Sequence, residues 1–316
     1  MGQTLSPEEK MVELDKYSRV VFNSQHWPAI GIDIDSSLQR FSGLNSSAVL
    51  NEYRDSVIYD DLSQVASAVE KLGTALGELS MVPGAVGLGA LVISLVLETV
   101  AHGFQKTTMG TAEMLERVFA HQKSNEVRDL MDEYLKRLRI NLGNQQLQLS
   151  ETRQIETDLS FQLTRLKNTM LRDGQMNSQF LKQWVNGAAF HTQMLIHQAR
   201  LEGTTGNRAT QAAGIYQQQL NLLLGKYKDY LKTVIVVHID SNRIYLECCV
   251  AYRWITNNRH ELRCFQLKEN YCMRGSAVVD VMFTKRQITW AKTYFSDLQA
   301  NIPTLVTQND VFHVRN

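Results

Sequence analysis

The feature that most constrains this chain is an uncharged run from Leu79 to Leu97, LSMVPGAVGLGALVISLVL, fenced by Glu78 and Glu98. As a helix rising about 1.5 Å per residue, it would extend roughly 28 Å, close to the thickness of a bilayer's hydrocarbon core. No other stretch of the sequence is as apolar for as long. Such a segment has to be covered by the protein's own core, by a partner or by lipid.

Its two halves differ. Pro83, Gly84, Gly87 and Gly89 make the first half a poor helix in water. In lipid, small residues let helices approach closely. Residues 91–97 are bulkier and suit a solid helix. Pro83-Gly84 can form the turn of a helical hairpin, with 65–79 as the ascending arm and 88–104 as the descending one. The other reading is a central helix buried in a bundle. Both hold if the segment is sheltered at rest and released later. On that view Val86, Leu88, Leu91, Val92, Ile93, Leu95, Val96 and Leu97 are the candidate membrane-inserting residues. Gly77, Pro83, Gly84 and Gly103 are the candidate hinges.

The N-terminus has no basic region followed by an apolar core, so no secretory signal is expected. An extracellular role would then need non-classical release, and a cytoplasmic or membrane-associated location is expected. Met1-Gly2-Gln3-Thr4-Leu5-Ser6 fits the N-myristoylation pattern, with Gly2 as acceptor. One acyl chain anchors only marginally, and the apolar stretch is the one candidate for a second membrane signal. Asn45-Ser46-Ser47 is a glycosylation sequon with no secretory route to make it act.

Most of the rest is helical in texture. Ser6-Pro7-Glu8-Glu9 is a helix start, with Ser6 as N-cap and Pro7 at the first helical position, and the helix runs to about Phe22. Residues 23–47 are irregular. An amphipathic segment, 48–77, leads into the apolar run. Beyond it, Met131, Tyr134, Leu135 and Leu138 recur at helical steps. Gly143-Asn144 marks a break or a pause in one long helix. Ile155, Leu159, Leu163, Leu166 and Met170 form a near-heptad seam. Asp173-Gly174 is a turn, 202–207 (EGTTGN) a loop, and 208–231 a further helix with Ile215 and Tyr216 on its apolar stripe. Short connections make such helices antiparallel neighbours.

After Leu231 the texture changes. Residues 233–239, 243–255, 261–267 and 277–283 are rich in β-branched residues and strand-like, 287–299 returns to helix, and 310–314 is a possible last strand. The expected fold is mainly α: an elongated antiparallel helical bundle with a buried apolar segment or hairpin and a small C-terminal β-containing region. The expected divisions are 1–47, an N-terminal helix and irregular segment; 48–232, the long-helix bundle; and 233–316, an α+β region.

Several chemistries are excluded. A net charge of +1 with interleaved signs gives no phosphate-binding footprint for nucleic acid. There is no Walker loop, Gly-x-Ser-x-Gly or His-Glu-x-x-His motif, and Gly84-Ala-Val-Gly87-Leu-Gly89 has the wrong order for a dinucleotide loop. Asp33 and Asp35 do not continue into a calcium loop. Cys248, Cys249, Cys264 and Cys272, with His260, contain no Cys-x-x-Cys pair, so ordinary thiols are expected rather than zinc ligands. His191 and His197 lie on different faces of one helix and are expected to be partly exposed. No enzyme activity, cofactor, metal or small-molecule substrate is expected.

The apolar block MVPGAVGLGALVISLVL followed by long polar helices resembles, in layout, the α-helical pore-forming toxins of the cytolysin A (haemolysin E) type. The block is also similar to that of the rapunzel-like proteins of fish. The resemblance covers roughly residues 60–231 and carries no specific motif. It implies a membrane-active helical protein that inserts 79–97 into lipid and homo-oligomerises. The alternative is an intracellular helical scaffold with that segment permanently buried and an oligomer held by seams such as Ile155–Met170.

Overall fold

The computed structural model describes residues 6–23, 32, 34–59, 87–92, 94, 126–141, 144–240, 247–256, 259–268 and 274–308. These residues are mainly helical. Helix α1 (Pro7–Asn23) opens on a reciprocal capping box: Glu9 N–H donates to Ser6 Oγ (3.2 Å), and Ser6 N–H donates to Glu9 Oε2 (2.7 Å). The short α2 (Ser36–Arg40) lies in a region whose sequence reads as irregular, whereas α3 (Ser46–Tyr59) falls almost wholly in the amphipathic segment that begins at 48. Asp35 caps α2 by accepting from Ser37 N–H.

The long helices are α4 (Glu126–Ile140), α5 (Gln145–Leu171), α6 (Ser178–Glu202) and α7 (Asn207–Val234). Helices α4 and α5 are therefore separate, and the turn at Asp173-Gly174 falls where turn chemistry places it. The loop before α7 needs Gly206. Its φ of +73° suits glycine, and a Cβ there would lie 2.8 Å from Val306 Cγ1. Three backbone segments then pair as an antiparallel sheet in the order β1–β2–β3: β1 (Ile235–Asp240), β2 (Glu247–Thr256) and β3 (Arg259–Lys268). Val237 faces Val250 in register, and Val250 faces Phe265.

Of residues 277–283, expected as a strand, 277–282 belong instead to α8 (Gly275–Met282) and Phe283 caps its C-terminus. Periodicity cannot separate a short Val-rich run from a buried helix. The helix prevails because Val278, Val279, Val281 and Met282 are all buried and α8 packs on α1. Helix α9 (Arg286–Leu305) runs past the expected end at Gln299 and through Pro303 in its last turn. The possible strand 310–314 lies outside the described residues.

The chain divides into two compact units. The first takes its described residues from 1–33, 169–182 and 220–292. Its core holds Tyr17, Leu181, Tyr227, Val278 and Phe283. Tyr227 O–H donates to Ser178 Oγ (2.8 Å), while Asp15 pairs with Lys285, and Asp280 with Lys228 (2.8 Å) and Lys232 (3.1 Å).

The second unit draws on 34–168, 183–219 and 293–316. Within it α6 is buried on every side from Gln183 to Ala199. Trp184 Nε1–H donates to Leu163 O (3.1 Å), and Trp184 meets Tyr216 edge to face at 5.8 Å. The seam residues Ile155, Leu159 and Leu163 are buried in this unit's own core.

Candidate functional site

Two features of the second unit bear on function: the seat of the apolar segment and a polar network beneath a cleft. Residues 88–92 are helical, and Leu88, Ala90, Leu91 and Val92 are each at most 5% exposed. Gly87, just before them, has φ +59° and donates its N–H to Ser46 Oγ (3.0 Å). A Cβ on Gly87 would lie 2.6 Å from Gln193 Oε1 of α6, so the chain here rests directly on that amide. Ser46 is itself completely buried. The seat is thus apolar packing pinned by one buried backbone hydrogen bond.

Of the candidate inserting residues, Leu88, Leu91 and Val92 are placed here. Val86, Ile93, Leu95, Val96 and Leu97 lie outside the described residues, as do the hinges Gly77, Pro83, Gly84 and Gly103 and the lipidation candidate Gly2. Among the described residues, no helix is long and apolar enough to cross a membrane.

The polar network joins three helices. Tyr216 O–H on α7 donates to His191 Nδ1 on α6 (2.9 Å), and His191 Nε2–H donates to Glu156 Oε1 on α5 (3.2 Å). Arg208, in the first turn of α7, grips both Glu156 oxygens through Nη2 at 3.2 and 3.1 Å. This assignment satisfies each imidazole nitrogen. The network forms the floor of a cleft of about 270 Å³, which Ser160, Gln211 and Ile215 also line.

Burial pushes the Glu156 carboxyl up, but the His191 hydrogen bond, the attraction of His191 and Arg208 and the Arg208 hydrogen bond outweigh it and hold the group below its ordinary value. Burial raises the Tyr216 hydroxyl, against a hydrogen bond from Ser160. The arrangement orients a tyrosine hydroxyl and holds one buried carboxylate ionised.

His191 and His197 are both buried, not partly exposed as their spacing implies. The helix that carries them is covered all round, so residues on opposite faces are both inside. His197 has no hydrogen-bond partner among the described residues, and burial followed by the charge of Arg200 lowers its pKa to about 3. Ile215, expected on an inward stripe, is 51% exposed at the cleft. Among the described residues, no three His, Cys, Asp or Glu side chains are grouped to hold a metal ion.

Sequence reasoning missed the Glu156–His191–Tyr216 cluster because its members come from three helices. One signal was present: residues 183–199 contain no Asp, Glu, Lys or Arg, the mark of a helix buried on all faces.

No protein-family model, curated protein or solved structure matches this chain.

Proposed function

We propose that this chain is a membrane-active protein: an antiparallel helical bundle with a small C-terminal β region that shelters segment 79–97 at rest, releases it on contact with lipid, inserts it and homo-oligomerises. The observation that carries this reading is the seat of residues 88–92, where apolar side chains are buried within the second unit and the chain entering them is pinned by the Ser46 hydrogen bond. Moving such a segment into lipid exchanges one apolar environment for another, so a small differential affinity can switch it. Buried His197, without a partner among the described residues, makes the surrounding bundle cheaper to open. The acyl chain expected on Gly2 would add a second, weak hold on the bilayer.

Dye release from liposomes, run beside flotation at neutral and acidic pH, tests the reading. The wild-type chain is expected to float and to release dye. Val92→Asp and Leu95→Asp are expected to abolish release, because a carboxylate at the bilayer centre costs about 2.5–3.5 kcal/mol on insertion scales. Neither release nor flotation by the wild type refutes insertion. The complete burial of Leu88 and Ala90 then favours the alternative, a helical scaffold that keeps the segment permanently in its core.

A further inference from the structure

Helix α6 meets the seat of the apolar segment with a polar face. At about 100° per residue, Asn186, Gln193, His197 and Arg200 lie within about 60° of one another around the helix. Asn186 Oδ1 accepts from Asp35 N–H (2.8 Å). Gln193 stands against Gly87 and beside Tyr294. Arg200 Nη2 donates to Gln308 O (2.7 Å), and Gln308 Nε2 donates to Leu44 O (2.8 Å). This face therefore meets residues 35–46, the described start of the apolar segment and the end of α9, all within the second unit.

His197 sits on that face, one turn beyond Gln193. It is 3% exposed, and neither ring nitrogen has a hydrogen-bond partner among the described residues. Asn186 and Arg200 find backbone partners there, whereas the neutral imidazole is held by packing alone. Burying a polar group unpaired is costly, and burying an unpaired charge costs far more.

The surroundings offer no acid to an imidazolium. Asp35 lies beside Asn186, about 16 Å from His197 along the α6 axis. Arg40 and Asp297 are exposed, and burial keeps the Tyr294 hydroxyl neutral. In α3, Glu52 is exposed and Arg54 pairs with Asp55. Residues 87–92 carry no ionisable side chain. On α6 itself, His191 and Glu202 point to other faces and are bonded there to Glu156 and Arg153. The charge that reaches His197 is that of Arg200, which repels a proton.

We propose that His197 is an acid sensor: a proton taken up there forces this face of α6 open and frees residues 87–92 from their seat. Where the freed segment goes rests on the insertion reading, but the opening itself can be measured without lipid.

Burial, and then the charge of Arg200, lowers the His197 pKa from 6.5 to about 3. The closed state thus binds fewer protons than the open one. The stability that neutral His197 leaves to the closed state is complete above about 6.5 and is lost as pH falls towards the folded value. Within that window each pH unit favours opening about tenfold. The ordinary value of Glu156, 4.5, lies lower, so near pH 5.5 its network still holds.

Amide exchange read by mass spectrometry at about pH 7.5 and pH 5.5, corrected for the intrinsic pH dependence of exchange, tests the proposal on the full chain without lipid. In the wild type, protection of 87–92 is expected to fall about tenfold at the lower pH, while that of 220–231 in the first unit stays constant. His197→Leu fills the site with an apolar side chain, and His197→Gln keeps a polar one. Neither titrates, so both should hold the protection of 87–92 constant between the two pH values. Far-ultraviolet circular dichroism shows that each variant is folded. Equal protection at both pH values in the wild type, the same fall in a folded His197 variant, or an equal fall over 220–231 overturns the sensor.

Dye release reports on insertion separately. Acid-dependent exchange without dye release at either pH upholds the sensor and refutes insertion. Dye release at both pH values with constant exchange upholds insertion and refutes the sensor.

Discussion

Replacing Glu156 tests whether the Tyr216–His191–Glu156–Arg208 network is the polar keystone of the second unit. The Glu156 side chain is only 8% exposed and accepts from two partners. Glu156→Ala strands the buried His191 N–H, at about 1–3 kcal/mol, and removes charge-assisted hydrogen bonds worth about 1.5–3 kcal/mol. A total loss of about 3–5 kcal/mol follows, in the range for breaking a buried ion pair. Glu156→Gln retains an acceptor for His191 and should cost about 1–2 kcal/mol. Arg208 is 64% exposed, so Arg208→Ala should cost only about 1 kcal/mol, the upper end for a solvent-exposed pair.

Urea unfolding followed by far-ultraviolet circular dichroism reads all three. The pH dependence has a definite sign. The folded carboxyl titrates below its ordinary value of 4.5, so the folded state binds fewer protons than the unfolded one. Its contribution is fully present above about 4.5 and is lost as pH falls through the folded value. The stability gap between wild type and Glu156→Gln should therefore shrink below pH 4.5. A gap that widens there, or an Arg208→Ala cost equal to that of Glu156→Ala, refutes the reasoning.

Two further predictions concern packing. Gly187→Ala places a Cβ 2.7 Å from Leu163 Cδ2 and 2.8 Å from Val127 Cγ1; overpacking of about 1–3 kcal/mol should exceed the roughly 1 kcal/mol gained in helix propensity. Gly225→Ala, on the same kind of helix with nothing within 4 Å of its Cβ, should instead stabilise by up to about 1 kcal/mol, and thermal unfolding distinguishes the signs. Ser46→Ala orphans the buried Gly87 N–H at about 1–3 kcal/mol, and should appear as faster amide exchange over 87–92 than over α5.

Much of the helical layout was legible because helix ends are written in local chemistry. The Ser6–Glu9 capping box and the Asp173-Gly174 turn depend on residues within a few positions of one another. The uncharged run at 79–97 likewise announced that it needs cover. Local chemistry did not decide residues 277–283, where β-branched side chains suit either a strand or a buried helix until a neighbouring helix packs on them.

The candidate sites were least legible. Glu156 and His191 stand 35 residues apart and meet only because α5 and α6 are neighbours. In sequence, each reads as an ordinary polar residue on a helix surface. The amino-acid sequence by itself determined where helices start and stop and which segment must be kept from water, since capping, backbone freedom and hydrophobicity act over a turn or a run. Only the tertiary structure decided that Leu88 and Ala90–Val92 lie in the core, that the His191 face of α6 is inside, and that Gln193 and His197 stand on the face that meets Gly87. Burial and hydrogen bonding between helices depend on which faces meet, and many packings are compatible with one pattern of apolar and polar residues.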